Sequence, residues 1–330
     1  MNGTTLFAQA PTDAAKVVNH PSGFLALSRN NQFFRSDELP GFIAYREVGR
    51  HWVTFGGVHS HQTAWADLLD KFLAEAENRH RRVVAVQVRE PQAQLFRDRG
   101  FTVNQFGTSF GLALKDYSFA GTDKMKLRNK IKRAKKIGLS VAEVGRELPR
   151  DPSTFAMLDA ISAEWLADKG KKELDFMIGE IGDPNDTQRR IFIAHDQDGR
   201  AVAFITYVPV WGDHPGFLHD LTRRQPSAPV GAMELCNATA IERFRAEGAQ
   251  YLHFGFTPFI VENRKTPGAS TVVNWIVQKL RQYGQALYPA ENQANYKLKW
   301  GTDILEPEYI AARPLSFRAI FDLMVLTRSI

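Results

Sequence analysis

Strand-like and helix-like segments alternate along most of the chain, and this alternation limits the possible folds more than any other feature. In the first half, β-rich runs at residues 42–48 and 52–55 flank Gly49, a spacing that predicts a hairpin. Residues 64–77 then carry apolar side chains at helical intervals, and residues 83–88 form a run typical of a buried strand. An order of strand, strand, helix, strand predicts an α/β domain.

The second half repeats that order, with strands predicted at residues 201–208, 216–221 and 251–254 and a long helix at 231–247. A meander of strands, then a helix, then a further strand is the order of an acetyltransferase-like domain. We therefore expect an α/β fold of tandem acetyltransferase-like (GNAT) domains, with mixed sheets flanked by helices. We place a flexible leader at residues 1–20, a first domain at 21–145 that ends in a basic helix, and a second domain at 146–330 that carries the active site.

The predicted basic helix holds more than the whole net charge of the chain, which is +6. Its apolar residues Leu127, Ile131 and Ala134 recur at helical spacing, so one narrow stripe can pack against the protein. Eight cationic residues and no acidic residue share this segment, and removing the eight from +6 leaves −2. They are Lys124, Lys126, Arg128, Lys130, Lys132, Arg133, Lys135 and Lys136.

Two interpretations of this helix remain open. It could be a charged connector between domains, or it could contact the phosphates of a nucleic acid or an anionic membrane surface. No aromatic residue interrupts the segment, so base stacking is not indicated and contact with a phosphate backbone or a duplex is favoured.

The densest polar cluster is at residues 219–224, which we place at the end of a strand, before the helix that contains Glu234. Asp220 and Arg223 would then lie three residues apart across a turn. A carboxylate suits an ammonium group, and a guanidinium suits a phosphate or a developing oxyanion. The alternative is an ordinary ion pair at a surface turn.

The residues indicate neither a cofactor nor a metal. The loop after the polar cluster carries Pro226 and Pro229, which lack the backbone N–H that a coenzyme A cradle needs. Cys236, the single cysteine, cannot form an intramolecular disulfide and is predicted to be a small buried residue. No signal peptide or long apolar run is recognised, so we expect a cytoplasmic protein.

Four segments between about residues 41 and 314 match one known family. They are residues 121–139, with Leu127, Arg128, Arg133, Ala134, Gly138 and Leu139; residues 161–166, followed by Lys169, Glu173, Phe176 and Gly179; residues 220–224, with Pro226, Pro229, Gly231, Met233 and Glu234; and residues 254–259, followed by Lys297, Lys299, Pro307 and Tyr309. With these segments the chain resembles the C-terminal catalytic domain of the aminoacyl-phosphatidylglycerol synthases, the lysyl- and alanyl-phosphatidylglycerol transferases. The third segment is the most specific.

The resemblance implies which residues form the site. It places the aminoacyl moiety near Asp220 and Arg223. The chemistry of the transfer adds Glu234 as a candidate for orienting Arg223 or the amino group, and these three are the catalytic candidates. The substrate-binding candidates are Glu164, Gly255, Thr257, Lys297 and Lys299. The two lysines would bind the acceptor phosphate, with solvated surface lysines as the alternative. The candidates for binding tRNA are Lys124, Arg128, Lys132, Arg133 and Lys136.

The resemblance also implies the partners, which are aminoacyl-tRNA and a phospholipid such as phosphatidylglycerol. The family's membrane domain is not recognised here, so peripheral contact with the inner membrane face is expected. The apolar residues of the segment 314–330 recur at helical spacing and could lie in a membrane interface or in the core. The alternatives are aminoacyl transfer to a small metabolite or cell-wall precursor, or a non-catalytic module that binds tRNA or a membrane.

Overall fold

The computed structural model describes residues 4–7, 10–169, 175–176, 178–261, 268–283 and 290–328. The strands in these residues are β1 (Thr4–Phe7), β2 (Gln32–Ser36), β3 (Leu39–Val48), β4 (His51–Phe55), β5 (Arg82–Val88), β6 (Thr102–Ala113), β7 (Ser140–Glu143), β8 (Arg190–His195), β9 (Ala201–Val210), β10 (Gly216–Arg224), β11 (Tyr251–Pro258) and β12 (Ile304–Ala312). The helices are α1 (Gly23–Ala26), α2 (Trp65–Asn78), α3 (Gln92–Asp98), α4 (Met125–Lys136), α5 (Pro152–Lys169), α6 (Ala232–Ala246), α7 (Thr271–Tyr283), α8 (Ala290–Leu298) and α9 (Phe317–Leu326).

All these strands join one sheet, in the order β1-β2-β3-β4-β5-β12-β6-β11-β10-β9-β8-β7. The pairs β4–β5 and β10–β11 are parallel, and the other neighbours are antiparallel. Parallel neighbours need a crossover connection, which α2 supplies for the first pair and α6 for the second. The predicted α/β class, with a mixed sheet flanked by helices, is confirmed.

From either edge inward, the sheet contains five consecutive strands of one half of the chain, followed by the last strand of the other half. The two halves thus exchange their last strands. Strand β12, from the end of the chain, lies between β5 and β6, and β6 in turn pairs with β11. The division at residue 145 stays a prediction. In the range 1–20, expected to be a leader, β1 pairs with β2 and the side chains of Ala14 and Val18 are buried.

Helices cover both faces of the first half of the sheet. On β3, Tyr45 packs in the same cluster as Phe72 of α2, whereas its neighbour Ala44 packs with Leu323 of α9. Successive strand residues project to opposite faces, so α2 and α9 lie on opposite sides of the sheet. No helix in the described ranges is long and apolar enough to cross a membrane.

The second half is layered in the same way. On β9, Ile205 packs with α6, and its neighbour Phe204 packs with Ile161 of α5. We call these two sides the α6 face and the α5 face. Cys236 is buried on the α6 face, and burial raises the pKa of its thiol, which confirms the prediction that it is a small buried residue.

The basic helix α4 packs against α6 through its apolar stripe, in which Leu127 and Ala134 are buried. Close approach of the two helices depends on Gly231, which precedes α6 with a φ of 99°. A Cβ built there would lie 2.7 Å from the carbonyl oxygen of Lys130 and 3.1 Å from the Cβ of Ala134. Glycine is therefore required at this position both for conformation and for space.

Candidate functional site

Residues 219–224 form the last part of β10, as predicted, but Asp220 and Arg223 both lie within the strand, so the prediction that they flank a turn is wrong. The strand continues through Arg224, which pairs with Ala203 of β9. The charged residues in this segment are typical of a turn, but backbone pairing with β9 keeps the segment extended.

The strand is interrupted by a bulge at Asp220. His219 pairs with Tyr207 and Thr222 pairs with Ile205, so two residues of β10 face one residue of β9. Cross-strand partners share a face of the sheet, so His219 and Thr222 lie on the α6 face. Their side chains meet there, with 2.6 Å between Nε2 of His219 and Oγ1 of Thr222.

The carboxylate of Asp220 is buried by an arginine that the sequence analysis did not single out. Nη1 of Arg189 donates to Oδ2 of Asp220, and both side chains are 3 % exposed. Nε of Arg189 also donates to Asp186, at 3.0 Å. Burial raises the pKa of Asp220 above its usual value, although Arg189 and the backbone N–H of Gly179 both favour the charged form.

Gly179 closes the other side of Asp220. A Cβ built on Gly179 would lie 1.7 Å from Oδ2 of Asp220, so a side chain at this position cannot coexist with the carboxylate. Gly179 belongs to the matching segment that begins at residue 161; Glu173 of that segment lies outside the described residues.

Arg223 is held by α5, opposite Phe204 and thus on the α5 face. Its guanidinium stacks 4.3 Å from the ring centroid of Trp165, and its Nε donates to the hydroxyl of Ser162 at 3.2 Å. Such stacking fixes the plane of the guanidinium fork. Glu164 of the same helix is exposed and accepts a 3.3 Å hydrogen bond from Gln225.

Glu234 lies in the first turn of α6, on the other face of the sheet from Arg223. Its Oε1 accepts from Nζ of Lys130 at 3.1 Å and from Nζ of Lys299 at 2.9 Å. Burial alone would raise the pKa of Glu234, but Lys299 and Lys130 together lower it. The three catalytic candidates therefore form two groups, Asp220 with Arg223 on the α5 face and Glu234 on the α6 face.

Lys297 is buried rather than solvated. Its Nζ donates to the carbonyl oxygens of Gly255 and Phe256, at 2.8 and 2.9 Å. Burial lowers its pKa to about 7, with Glu308 opposing the shift. Neither lysine candidate is a free surface cation, because Lys299 pairs with Glu234 and Lys297 is enclosed by the backbone of β11.

The two remaining substrate-binding candidates lie in β11 beside Lys297. Gly255 follows a break in the pairing of β11 with β6 and has a φ of 68°. Thr257 is fully buried, and within the described residues its hydroxyl has no hydrogen-bond partner.

Two further buried residues were missed. Arg189 was not identified because nothing in its local sequence distinguishes it from a surface arginine; its partner Asp220 is 31 residues away. Glu308 is fully buried in β12, accepts a hydrogen bond from Ser109, and lies 3.6 Å from Nε2 of His20. The strand-like run around Glu308 was a usable signal, since a carboxylate inside a buried strand is uncommon.

The predicted tRNA-binding residues divide into two sets. Lys124 and Arg128 turn toward the protein: Nζ of Lys124 donates to the carbonyl oxygen of Ser118 at 2.7 Å, and Nη1 of Arg128 donates to that of Phe119 at 2.7 Å. The exposed cationic residues of α4 include Lys126, Lys132, Arg133, Lys135 and Lys136. This exposed set forms the cationic surface of the helix.

Comparison with known proteins identifies relatives of most of the chain. A family model described as "Phosphatidylglycerol lysyltransferase, C-terminal" matches residues 13–312. The lysylphosphatidylglycerol biosynthesis bifunctional protein LysX of Mycobacterium avium is 28 % identical over 220 residues, which are 66 % of this chain and 18 % of that protein. The phosphatidylglycerol lysyltransferase of Staphylococcus xylosus is 23 % identical over 290 residues, 88 % of this chain and 33 % of the relative. The chain thus spans a third or less of the length of these curated relatives.

Two solved structures share the fold. L-PGS from Bacillus licheniformis superposes with a TM-score of 0.80 at 18 % identity, covering 96 % of each chain. The C-terminal domain of a lysylphosphatidylglycerol synthetase from Agrobacterium fabrum gives a TM-score of 0.78 at 20 % identity, covering 96 % of this chain and 94 % of that one.

Proposed function

The chain belongs to the phosphatidylglycerol lysyltransferase C-terminal family, and from this premise we propose that it transfers an aminoacyl group from charged tRNA to a hydroxyl of a phospholipid such as phosphatidylglycerol. The observation that carries the proposal is the family match over residues 13–312, which includes the buried Asp220 and the stacked Arg223. The names of the relatives from M. avium and S. xylosus support phosphatidylglycerol as the acceptor.

The chemistry of this transfer needs positioning more than a covalent intermediate. The donor is an ester on the 3′ ribose of tRNA, which is already activated toward attack by a hydroxyl. The attacking hydroxyl loses its proton, the carbonyl oxygen gains negative charge, and the ribose oxygen is protonated as it leaves. Holding the donor and the acceptor in line supplies much of the rate.

Asp220 would attract the α-ammonium group of the donor through the net charge of its surroundings. The trio of Asp186, Arg189 and Asp220 contains two carboxylates and one guanidinium, so it carries −1 when ionised. Arg189 holds the Asp220 carboxylate in a fixed orientation, and the backbone of Gly179 lies against the carboxylate. A buried negative cluster binds an ammonium group more strongly than an exposed carboxylate does.

Arg223 would bind the terminal phosphate of the donor or the developing oxyanion. Trp165 and Ser162 fix the guanidinium on the same face of the sheet as Asp220. A donor group whose orientation is set before the reaction stabilises a transition-state charge without reorganisation.

Glu234 would link the tRNA surface to the site. It binds Lys130 of the basic helix and Lys299, which follows α8. Binding of tRNA phosphates to the exposed cations of α4 would therefore act on the same ion pairs that hold Lys299 in place.

An acceptor assay tests the proposal. The protein is incubated with radiolabelled aminoacyl-tRNAs and phosphatidylglycerol vesicles, and label is measured after extraction into organic solvent. We expect label in the lipid phase, and loss of about 100-fold or more in rate for Arg223→Gln. The matched control is Arg224→Gln, because Arg224 is the exposed neighbour on the same strand. Label that leaves tRNA but stays aqueous would indicate a small acceptor instead, and no transfer from any tRNA contradicts the proposal.

The basic helix is tested by charge reversal of Lys132, Lys135 and Lys136, three of its exposed lysines. We expect weaker tRNA binding. The slope of log affinity against log salt should also be smaller by about two to three, because fewer phosphate contacts mean that fewer counterions are released on binding. The control variant changes the same three lysines to arginine and keeps the charge. Equal affinity and slope in both variants would exclude α4 as the tRNA surface.

A further inference from the structure

The bulge in β10 decides which face of the sheet Asp220 and Arg223 occupy. In a regular strand, residues three apart project to opposite faces, because side chains alternate with a period of two. The extra residue between His219 and Thr222 changes this alternation. Asp220 and Arg223 therefore both lie on the α5 face. The same change brings His219 and Thr222 together on the α6 face.

Backbone pairing holds this part of β10 from one side. Within the described residues, the pairing of β10 with β11 ends at Leu218 and His253, so residues 219–224 have their ladder of backbone hydrogen bonds with β9 alone. The bulge disrupts even this ladder locally. A slip of one residue in the register would move Asp220 and Arg223 to the other face. Whatever fixes the bulge therefore also fixes the face on which these two side chains lie.

Side-chain hydrogen bonds hold the bulge from both faces. On the α5 face, the hydroxyl of Thr206 accepts from the backbone N–H of Leu221 at 3.0 Å and donates to Oδ2 of Asp220 at 3.5 Å. On the α6 face, Nε2 of His219 and Oγ1 of Thr222 lie 2.6 Å apart. This bond joins the two residues that flank the bulge, so it fixes their separation directly.

The ring of His219 is itself fixed by aromatic neighbours. Its centroid lies 5.4 Å from that of Tyr207, 5.5 Å from that of Phe254 and 6.1 Å from that of Tyr296. These rings belong to β9, β11 and α8, so three separate elements enclose the imidazole. Burial, with the positive charge of Lys297, lowers the pKa of His219 to about 3. The imidazole is therefore neutral near pH 7, which suits a fixed hydrogen bond rather than proton transfer.

We propose that the hydrogen bond between His219 and Thr222 positions the transfer site on the opposite face of the sheet. By fixing the bulge, it keeps Asp220 and Arg223 together on the α5 face. The inference deepens the proposed function and rests on it, because these are the two groups proposed there to bind the donor. His219 and Thr222 act through the backbone of β10 and do not touch the donor. Displacement of a binding group by about 1 Å can lower a rate by about 100-fold.

Removal of one hydroxyl tests the role of this bond in transfer. Thr222→Val keeps the branched shape of threonine but loses the hydrogen bond. It should lower kcat, measured per folded molecule, by about tenfold or more, whereas Thr222→Ser should stay within about twofold of the wild type. The matched control is Thr54→Val, which should keep the wild-type kcat, because the buried hydroxyl of Thr54 in β4 has no hydrogen-bond partner within the described residues. Equal kcat for Thr222→Val and wild type would overturn the proposal.

A double-mutant cycle tests whether the two residues act through each other. His219→Phe keeps a ring without hydrogen-bonding atoms, whereas the amide of His219→Gln can still bond to Thr222. The loss of kcat in the double variant His219→Phe and Thr222→Val should not exceed the larger single loss, because both changes remove the same bond. His219→Gln should restore most of kcat and keep the wild-type pH profile. Additive losses contradict the proposal, and so does a pH profile that changes in His219→Gln, which would make His219 a proton-transfer group.

Hydrogen exchange separates failure of this inference from failure of the proposed function. The backbone N–H of Leu221, a residue of the bulge, donates to Thr206, so its exchange rate reports the bulge without any substrate. This amide should exchange about tenfold or more faster in Thr222→Val, and at the wild-type rate in Thr54→Val. Unchanged exchange in both Thr222→Val and His219→Phe overturns the inference alone. Absence of transfer by the wild type from any aminoacyl-tRNA overturns the proposed function, and the exchange of Leu221 then still decides whether the bond holds the bulge.

Discussion

Glu308 is a fully buried carboxyl group at the centre of the sheet, where the two halves meet. Ser109 donates a hydrogen bond to it, and His20 and Arg89 lie nearby. Burial raises its pKa from the usual 4.5 to about 7, against the opposing effects of Ser109, Arg89 and Lys297. The folded protein therefore retains a proton that the unfolded chain loses above pH 4.5.

This retained proton makes a pH-dependent contribution to stability. A raised pKa stabilises the fold at low pH, and that stabilisation is lost as the pH rises through about 7. Glu308→Gln does not titrate, so the wild type should lose up to about 3 kcal/mol relative to this variant between pH 4.5 and 7. Urea unfolding of both proteins across this range measures the difference. A constant difference at every pH would show that Glu308 ionises normally.

At individual positions, some features of the candidate site could be predicted from the sequence and others could not. The residue pattern selected Asp220 and Arg223, and the structure buries both on the α5 face. Their partners could not be predicted, because Arg189 and Trp165 reach them through tertiary packing and not through local spacing. Lys297 was predicted to bind the acceptor phosphate, with a solvated surface lysine as the alternative, and two backbone carbonyl groups of β11 hold it inside the protein. Whether these residues act as proposed stays a prediction.

At the scale of elements, the contact between α4 and α6 depends on one glycine. Gly231→Ala should destabilise the protein for two reasons, a positive φ and a Cβ 2.7 Å from the carbonyl oxygen of Lys130. Gly248, just after α6, also has a positive φ of 82° but has nothing within 4 Å of its added Cβ. Gly248→Ala therefore measures the conformational cost alone, about 1–2 kcal/mol.

The difference between the two variants isolates the packing of α4. Gly231→Ala should lower the free energy of unfolding by about 1–3 kcal/mol more than Gly248→Ala does, because the added methyl group forces α4 away from α6. Thermal and urea unfolding give the two values. Gly231→Ala should also weaken tRNA binding if α4 must be held against α6 for tRNA to bind. Equal destabilisation by the two variants would mean that α4 moves away from the added methyl group without lowering the free energy of unfolding.

The order of elements was predictable from the sequence, but the C-terminal end of β10 and its bulge were not. Alternating apolar and helical spacing identified the strands and the crossover helices because these patterns are local. The bulge at Asp220 is set by pairing with Thr206 of β9, whose hydroxyl accepts a 3.0 Å hydrogen bond from the backbone of Leu221. That contact depends on register between two strands, which a single strand's pattern does not specify.

At the scale of the whole molecule, the exchange of β6 and β12 could not be seen in the sequence. Each half contains the pattern of a complete domain, so the pattern predicts two separate sheets. In the structure, β12 pairs with β5 and β6, and β6 pairs with β11. Long-range strand pairing of this kind is decided by packing at the centre of the sheet, where buried side chains from both halves meet.

The exchange makes a prediction about fragments. A cut between Ala120 and Gly121, in an exposed turn between β6 and α4, separates β12 from both of its partner strands. Residues 1–120 would then have an unpaired edge at β5, and residues 121–330 would contain β12 without a neighbour in the sheet. Unpaired strand edges with apolar faces are unstable and prone to aggregate. We therefore expect that neither fragment unfolds cooperatively alone, and that the two together form a 1:1 complex with protected amides in β5, β6 and β12.

Size-exclusion chromatography and hydrogen exchange measure this outcome. The control is the intact chain with a protease site at the same turn, cleaved after folding. It should stay associated and keep its exchange pattern, because the cut lies outside the strands and β12 and β11 still pair with β5 and β6. If residues 1–120 alone protected β5 and β6 to the same extent as the intact chain, the first half would be an independent domain and β12 an addition to it. Protection that appears only on mixing would show that β6 and β12, the central pair of strands, form as a unit. The two faces of the candidate site would then belong to one cooperative structure.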